Sequence, residues 1–245
     1  MKTGKKKQPF RVILAAFLVV FVFLALLLSP LFNVTQVTAS GYVTRSKAAL
    51  LYTAGLDKPV NIFAVSARRI RNNLLADPYI ASVQIEKDYL ARSVDITIRE
   101  RTLRGYVEFL PGTYLYIDET GTVLEVATSF TQKLPVVVGL ELSSFTVGQV
   151  LDVPHQQSFD TLITLTNLLY KHEMASTVVR VSLQDRDNTR IRVGALEVEL
   201  GELWDADIKI RRLAHILPEL EARGLYSGFL DLRDISRPAR FRALT

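Results

Sequence analysis

Seventeen apolar residues stand without a break from Val12 to Leu28. Continued through Ser29, Pro30, Leu31 and Phe32, the run makes a helix of roughly 30 Å at about 1.5 Å per residue, the thickness of a bilayer's hydrocarbon core. Few buried globular helices are apolar all round. A cleavable signal peptide is the rival reading. It wants a shorter apolar stretch, roughly 7–15 residues, with a small-residue cleavage site close behind. Here the nearest candidate, Val37-Thr38-Ala39, lies well beyond Leu28. Residues 12–32 therefore read as a single, retained transmembrane helix.

Charge sets its direction. Lys2, Lys5, Lys6, Lys7 and Arg11 precede the run, with no acid among them. Basic residues stay on the cytoplasmic side, so residues 1–11 read as a cytoplasmic tail and everything after Phe32 as extracytoplasmic. The net charge is +5, and these five residues account for it; the remaining basic residues balance the 25 acidic ones. The basic balance is thus a topology signal, and nucleic acid is not an expected partner. There is no cysteine, which excludes thiol catalysis, zinc-thiolate sites and iron–sulfur clusters. Without disulfides, the exported part must be held together by burial.

Past the span, Asn33 to Thr38 is β-branched and predicts a strand. Thr44 is placed to cap a helix through Ala48, Leu50, Leu51 and Tyr52, which Gly55 ends. Ser66 caps a second, with Ile70, Leu74 and Leu75 on one face and Arg68, Arg69 and Arg71 on or beside the other. Asp77-Pro78 stops it. In "DPYIASVQIEKDYLARSVDITIRER", Val83 and Ile85, then Val94, Ile96 and Ile98, alternate with polar residues: a hairpin with one dry face. The order from 33 to 101 is strand, helix, helix, strand, strand, and two helices can cover one face of such a sheet.

From Leu103 short strands follow: "LRGYVEF", "TYLYID", "GTVLEV" and "LPVVV". Residues 156–171 carry a helical stripe of Phe159, Leu162, Ile163, Thr166, Leu169 and Tyr170. "STVVRVSL", "TRIRV" and "LEVEL" are strands again. Leu203 to Arg223 is an amphipathic helix with Ile208, Ile210, Leu213, Ile216, Leu217 and Leu220, in which Pro218 should produce an end or a kink. "SGFLDLRD" is a last strand. The class is α+β.

Candidate chemistry is sparse. His155, His172 and His215 are far apart in sequence. His172-Glu173 opens like a zincin helix but lacks its second histidine. Asp185, Asp187 and Asn188 resemble the start of a calcium loop, yet Arg190 stands where glycine is needed and Leu196 where an acid is needed, so a polar turn is the better reading. Asp118-Glu119 lies in "DETG", an ordinary turn. Trp204, alone at a helix start, reads as a packing residue. No catalytic, metal or cofactor-binding constellation emerges, and the expected output is binding, not enzymatic activity.

A basic tail, one span, a βααββ module and a mixed β domain together resemble the FtsQ/DivIB family of bacterial cell-division proteins. The marks are distributed. "FNVTQVTASGYVT" follows the span, with Val34, Val37 and Gly41 where the family pattern places them. "NIFAVSARRIRNNLLADPYIASVQIEKDYLARSVDITIRER", "YLYIDETGTVLEV", "LPVVVGL" and "LYSGFLDLRD" follow in the family's order. Two departures stand out: Asp88-Tyr89-Leu90-Ala91-Arg92 lacks the proline usual before the hairpin's second strand, and Thr102 replaces the proline common after Glu100-Arg101. The resemblance implies a POTRA module over 33–101 and a β domain with two helices over 102–245. It implies binding to FtsL-like and FtsB/DivIC-like coiled-coil division proteins at the septum, and through them an influence on septal peptidoglycan synthases. A POTRA-bearing transport component and an anchored cell-wall hydrolase are the alternatives; the first would need a membrane β-barrel, the second a catalytic cluster.

The partner site expected from the sequence lies in "GFLDLRDISRPARFRAL". Phe229 and Asp231 share one side of a final strand, which as an edge would template another chain. Arg233, Ser236, Arg237, Arg240 and Phe241 follow, with Asp234 the one acid opposing the arginines, and Pro238 keeps the segment from becoming an inner strand. Arginine suits the capture of an acidic segment because its planar fork grips carboxylates bidentately.

The charge asymmetry gives a first prediction. Protease added outside spheroplasts is expected to digest the chain beyond about Phe32, and neutralising Lys2, Lys5, Lys6, Lys7 and Arg11 together should scramble the orientation. A protected C-terminus would contradict it.

Overall fold

The computed structural model describes residues 8–185 and 187–243, with side chains from Val12 onward. Lys2, Lys5, Lys6 and Lys7, and the side chain of Arg11, lie outside the described residues. The fold is α+β, in two compact units, Met1–Glu100 and Arg101–Thr245.

Helix α1 (Gln8–Leu27) opens the first unit. Its large side chains from Val12 to Leu26 are 51–68% exposed, so α1 buries its apolar surface against nothing described. Among the described residues no helix is long and apolar enough to cross a membrane. The part of α1 with described side chains, Val12 to Leu27, measures about 24 Å at 1.5 Å per residue. The C-terminal carbonyls of α1 would be orphaned by the helix geometry. Asn61 meets this need: its side-chain amide donates to Leu27 O at 2.9 Å and to Ser29 O at 3.1 Å.

After a single 3-10 turn at Pro30–Phe32 come β1 (Gln36–Ser40), α2 (Lys47–Ala54), α3 (Ala67–Leu75), β2 (Ile80–Asp88) and β3 (Ser93–Glu100), the expected βααββ order. The sheet order is β1-β3-β2, with β1 parallel and β2 antiparallel to the central β3. Val83, Val94, Ile96 and Ile98 are buried against Leu50, Ala54, Ile70 and Leu74 of the two helices. Ile85 is partly buried at the margin of this core. Gly41 lies so close to β3 that a Cβ would stand 2.1 Å from Ile98 O, at a φ of +78°. That position needs glycine.

Ser66 caps α3 as expected, accepting from Arg69 N. Thr44 does not cap α2; Ser46 does, by accepting from Ala49 N. Thr44 instead donates its amide and hydroxyl to the Glu100 carboxylate, which ties the chain entering α2 to the end of β3. Leu75 is not on the buried face of α3 but 41% exposed, because it sits at the last helical residue, rotated off the Ile70–Leu74 stripe.

The second unit contains β4 (Leu103–Leu110), β5 (Thr113–Asp118), β6 (Val123–Ala127), β7 (Val136–Val138), α4 (Gln156–Lys171), β8 (Arg180–Ser182), β9 (Thr189–Val193), β10 (Ala195–Gly201), α5 (Ala206–Ala222), β11 (Ser227–Asp231) and β12 (Arg240–Ala243). Among the described residues they form a nine-stranded sheet, β12-β11-β10-β9-β8-β7-β4-β5-β6. The pairs β4/β7, β7/β8 and β10/β11 are parallel, so each needs a crossover; the β5–β6 segment supplies the first, and α4 and α5 supply the other two. The helices pack on each other and bury Leu162, Leu165, Leu169, Ile210, Leu213 and Leu217 in one core with the sheet.

Several expectations change here. Pro218 does not end α5, which runs on to Ala222. The ring forfeits one backbone bond near the last turn, while Leu217 and Leu220 on either side stay buried and hold the helix to the core. Ile208 is 40% exposed, leaving the α5 stripe to start at Ile210. Trp204 does not pack: it is 81% exposed in the turn before α5, and Leu203 meets the core in its place. The "DETG" turn holds more than a turn. Asp118 is fully buried and paired with Arg101 Nη1 at 2.6 Å. It also accepts from Thr120 N and Thr122 N. Burial pushes this carboxyl up, but Arg101 and the threonine bonds outweigh it and hold it below the usual carboxylate range.

The face assignment of the hairpin is directly testable. Ile96→Ala removes most of a side chain that is 2% exposed, and is expected to cost about 3 kcal/mol. Arg99→Ala, on the wet face, should cost about 0.5 kcal/mol or less. Equal shifts of the two denaturation midpoints would refute the assignment.

Candidate functional site

The chain's last strand changes the expected edge. Phe229 to Leu232 does not form the rim of the sheet. β12 pairs antiparallel with β11, setting Phe229 opposite Arg242 and Asp231 opposite Arg240, so β12 is the outermost strand. The sequence signal for β12 is Arg240-Phe241-Arg242, a period of two too short and too charged to read as a strand on its own. Gly228 permits the pairing. At φ +147° its Cβ, if present, would fall 2.4 Å from Arg242 O and 3.0 Å from the Phe241 ring.

Strand register brings distant residues into two rungs across one face of the sheet. One reads Arg180, Arg192, Glu197, Phe229, Arg242; the other Ser182, Arg190, Glu199, Asp231, Arg240. Their alternation with Val181, Ile191, Val198 and Leu230, all buried, places the rungs on the face opposite the core. Arg180, Arg190 and Arg192 therefore share the outer face with the edge residues, three to four strands further in. "TRIRV" shows the alternation of Arg190 and Arg192, but only the register reveals what they stand beside.

The expected site residues fall as follows. Phe229 is 37% exposed and lies beneath the Arg242 guanidinium, 5.1 Å from ring centre to Cζ. Asp231 accepts from Arg233 Nε at 2.9 Å and Nη2 at 2.7 Å, a bidentate pair that holds its carboxyl at about 2. Glu199 stands 3.6 Å from the same guanidinium. Arg233 is thus already matched inside the chain, and Asp234 is not the sole acid opposing the arginines. Ser236 closes a turn on Asp234 through its amide and hydroxyl. Arg237 pairs with Asp234 at 3.0 Å, and its carbonyl accepts from Arg212 of α5 at 2.8 Å. Phe241 turns inward, half-buried against the core, so it stabilises β12 and does not face outward. Arg240 remains outward, and with Arg233, Arg237, Asp231, Asp234 and Pro238 it lines an open recess of about 360 Å³.

Among the described residues no group of three or more His, Asp or Glu side chains could hold a metal. Lys171 and His172, at the end of α4, both reach Asp207 in the first turn of α5, at 2.7 and 3.0 Å. Lys171 foremost, and then His172, hold the Asp207 carboxyl at about 2. This cluster joins two helix ends with charges that suit their dipoles.

Comparison with known proteins accounts for both units. Residues 32–101 match the POTRA domain of FtsQ type, and residues 105–233 match the family model of the FtsQ/DivIB C-terminal region, which alone covers half of the chain. The chain belongs to the FtsQ/DivIB family of cell-division proteins. DivIB of Clostridium tetani is 25% identical over 214 residues, covering 86% of this chain and 80% of that protein. FtsQ of Myxococcus fulvus is 25% identical over 213 residues, covering 86% and 73%. DivIB of Clostridium botulinum strain Hall is 23% identical over 235 residues, covering 95% and 91%. The C-terminal family match ends at Arg233, before β12.

Gly228 supplies the test of this geometry. Gly228→Ala is expected to detach β12, and with it the core contact of Phe241, while the buried residues of β9 and β10 stay packed, because the clash falls on the Arg242 carbonyl and the Phe241 ring. Amide hydrogen exchange should then rise across Ser227–Asp231 and stay slow in β9 and β10. Unchanged exchange in β11 would contradict the pairing.

Proposed function

We propose that this FtsQ/DivIB-family chain is a non-enzymatic, membrane-anchored division protein that captures coiled-coil partners of the FtsL and FtsB/DivIC type on the outer side of the cytoplasmic membrane. The observation that carries this reading is the outer edge of β12, an end strand flanked by the arginine-lined recess. An end strand keeps a row of N–H and C=O groups free for another chain's strand. Arg237, Arg240 and Arg242 stand where acidic side chains of such a strand would arrive. Arg233 contributes less than its sequence position suggests, since Asp231 and Glu199 already occupy it.

The apolar run from Val12 to Leu28, with α1 exposing its side chains, supports a span crossing from a cytoplasmic tail (1–11). The POTRA module (33–101) and the β domain (102–245) then work outside the membrane, at the septum. Through its partners the chain would help control septal peptidoglycan synthesis.

Removing the tail after Arg233 would also strip Ala239 and Phe241 from the core, so side-chain substitutions test the reading more cleanly than truncation. Arg237→Gln with Arg240→Gln, which removes the charges without setting acids against Asp234 and Asp231, is expected to leave the melting temperature nearly unchanged and to weaken capture of an FtsB/DivIC-type partner at least about tenfold, the loss expected from roughly 1.4 kcal/mol. The residual binding should lose much of its salt sensitivity. Full capture by the doubly substituted protein would refute the site.

A further inference from the structure

The turn between β2 and β3 combines features that its own unit does not require. Leu90, at its tip, is 97% exposed, and Tyr89 and Phe63 beside it are 47% and 42% exposed. Burying none of these helps the core, which closes at Val83 and Val94. The tip is nevertheless held in one shape. Asp88 Oδ1 accepts from Leu90 N and Ala91 N, both at 2.8 Å, and Arg92 takes a left-handed φ of 54°. A rigid support beneath an exposed leucine marks a presented surface more than a loose loop.

What the turn is level with identifies the occupant. Arg92 Nη1 donates to Leu31 O at 2.6 Å, and Thr35 N donates to Arg92 O at 2.9 Å. The tip therefore stands beside Leu31 and Phe32, where the apolar run that begins at Val12 ends. An aromatic series spans the gap: Phe63 meets Phe32 edge-on at 5.4 Å and stacks on Tyr89 at 5.5 Å. Lys87 lies over the Tyr89 ring at 5.0 Å, its ammonium bonded to Val65 O. Apolar side chains at the tip, aromatic rings behind them and cations behind the rings are the order in which side chains settle into a membrane–water interface. The one acid of the turn, Asp88, is engaged by the backbone.

We propose that the β2–β3 turn seats in the outer-leaflet interface of the bilayer that α1 crosses, with Leu90 among the upper acyl carbons, Tyr89 and Phe63 at the headgroup level, and Lys87 and Arg92 beside lipid phosphates. This rests on the membrane-anchor reading of α1 and adds to it a second contact. A lone helix lets the domain it carries swing freely. A second contact, fixed to the end of the helix by Asn61 and Arg92, sets the POTRA sheet at one angle to the membrane.

The absence of cysteine makes the test direct. Single cysteines are introduced into the full chain as Leu90→Cys, Val43→Cys and Phe21→Cys, labelled with a nitroxide and reconstituted into phospholipid nanodiscs. Collisional access to oxygen and to a water-soluble nickel chelate then gives the depth of each label. Val43 is 88% exposed and follows the far end of the sheet, about 25 Å from the turn at roughly 3.3 Å per residue along β3. The label at 90 is expected about 5–10 Å below the headgroup boundary, the depth of interfacial elements, with the label at 43 in water and that at 21 in hydrocarbon. A label at 90 in water while 21 is in hydrocarbon overturns the proposal and spares the anchor. Labels at both 90 and 21 in water overturn both. A label at 90 shielded from oxygen and chelate alike indicates a protein occupant and also overturns the proposal.

Discussion

An open sheet must end in a strand whose backbone is paired on one side only. In the second unit that constraint falls on β6 at one end and β12 at the other; the 148–149 loop bonds to Val123 of β6, and much around β12 can be read as the consequence of its own open side. Four residues, Arg240–Ala243, are a short strand, and short, charged edges resist indiscriminate pairing. Gly228 brings β12 close, Phe241 turns inward to hold it, and Arg212 reaches from α5 to the carbonyls of Ile235 and Arg237 to fix the connecting loop. The edge is thus built to persist without a partner. Its outer side has no strand beside it among the described residues.

The elements whose cause is local were legible in the sequence. Residues 156–171 stood out as a helix because their apolar residues recur at three-to-four spacing, and α4 covers the same residues. The hairpin's alternation mapped directly onto its buried face. Where the reading failed, the deciding contact was remote in sequence. Thr44 is as good a cap as Ser46, but Glu100, more than fifty residues away, claims it. The "DETG" turn looks ordinary because Arg101, which makes Asp118 a buried ion-pair partner, comes from the link between β3 and β4. Pro218 is a helix breaker by local chemistry and is overruled by burial on both sides.

The candidate site was legible in part, for the same reason. The arginines and the proline near the C-terminus pointed to the region, but their roles depend on register. Arg233 looks available in the sequence, yet Asp231, two residues before it, grips it bidentately, and Glu199 reaches it through the β10–β11 pairing. Phe241 looked like an anchor for a partner and serves the core. Arg180 and Arg192 carry no sequence signal of their own, and Arg190 only that of a misfit in a calcium loop; they lie up to sixty residues from Arg240, yet the rungs set them across the same face. Paired residues on a sheet face act as one surface, and a sequence read in order cannot display them so.

Backbone pairing along β12 is nearly blind to sequence, since any strand offers the same N–H and C=O groups. Discrimination must then come from side chains on alternate positions of the incoming strand. On the outer face those positions meet Arg240 and Arg242, with Arg237 over the recess, and the rungs behind them carry Arg190 and Arg192 matched to Glu199 and Glu197. In the docking proposed above, an acidic strand would find cations at the rim. A basic strand would meet like charge there, and the glutamates further in are already engaged. The internal ion pairs therefore do more than join strands: by engaging Glu197 and Glu199 they leave Arg240 and Arg242 toward the edge, and Arg180 further in, outside any ion pair among the described residues, a distribution that in the proposed docking would favour an acidic strand over a basic one.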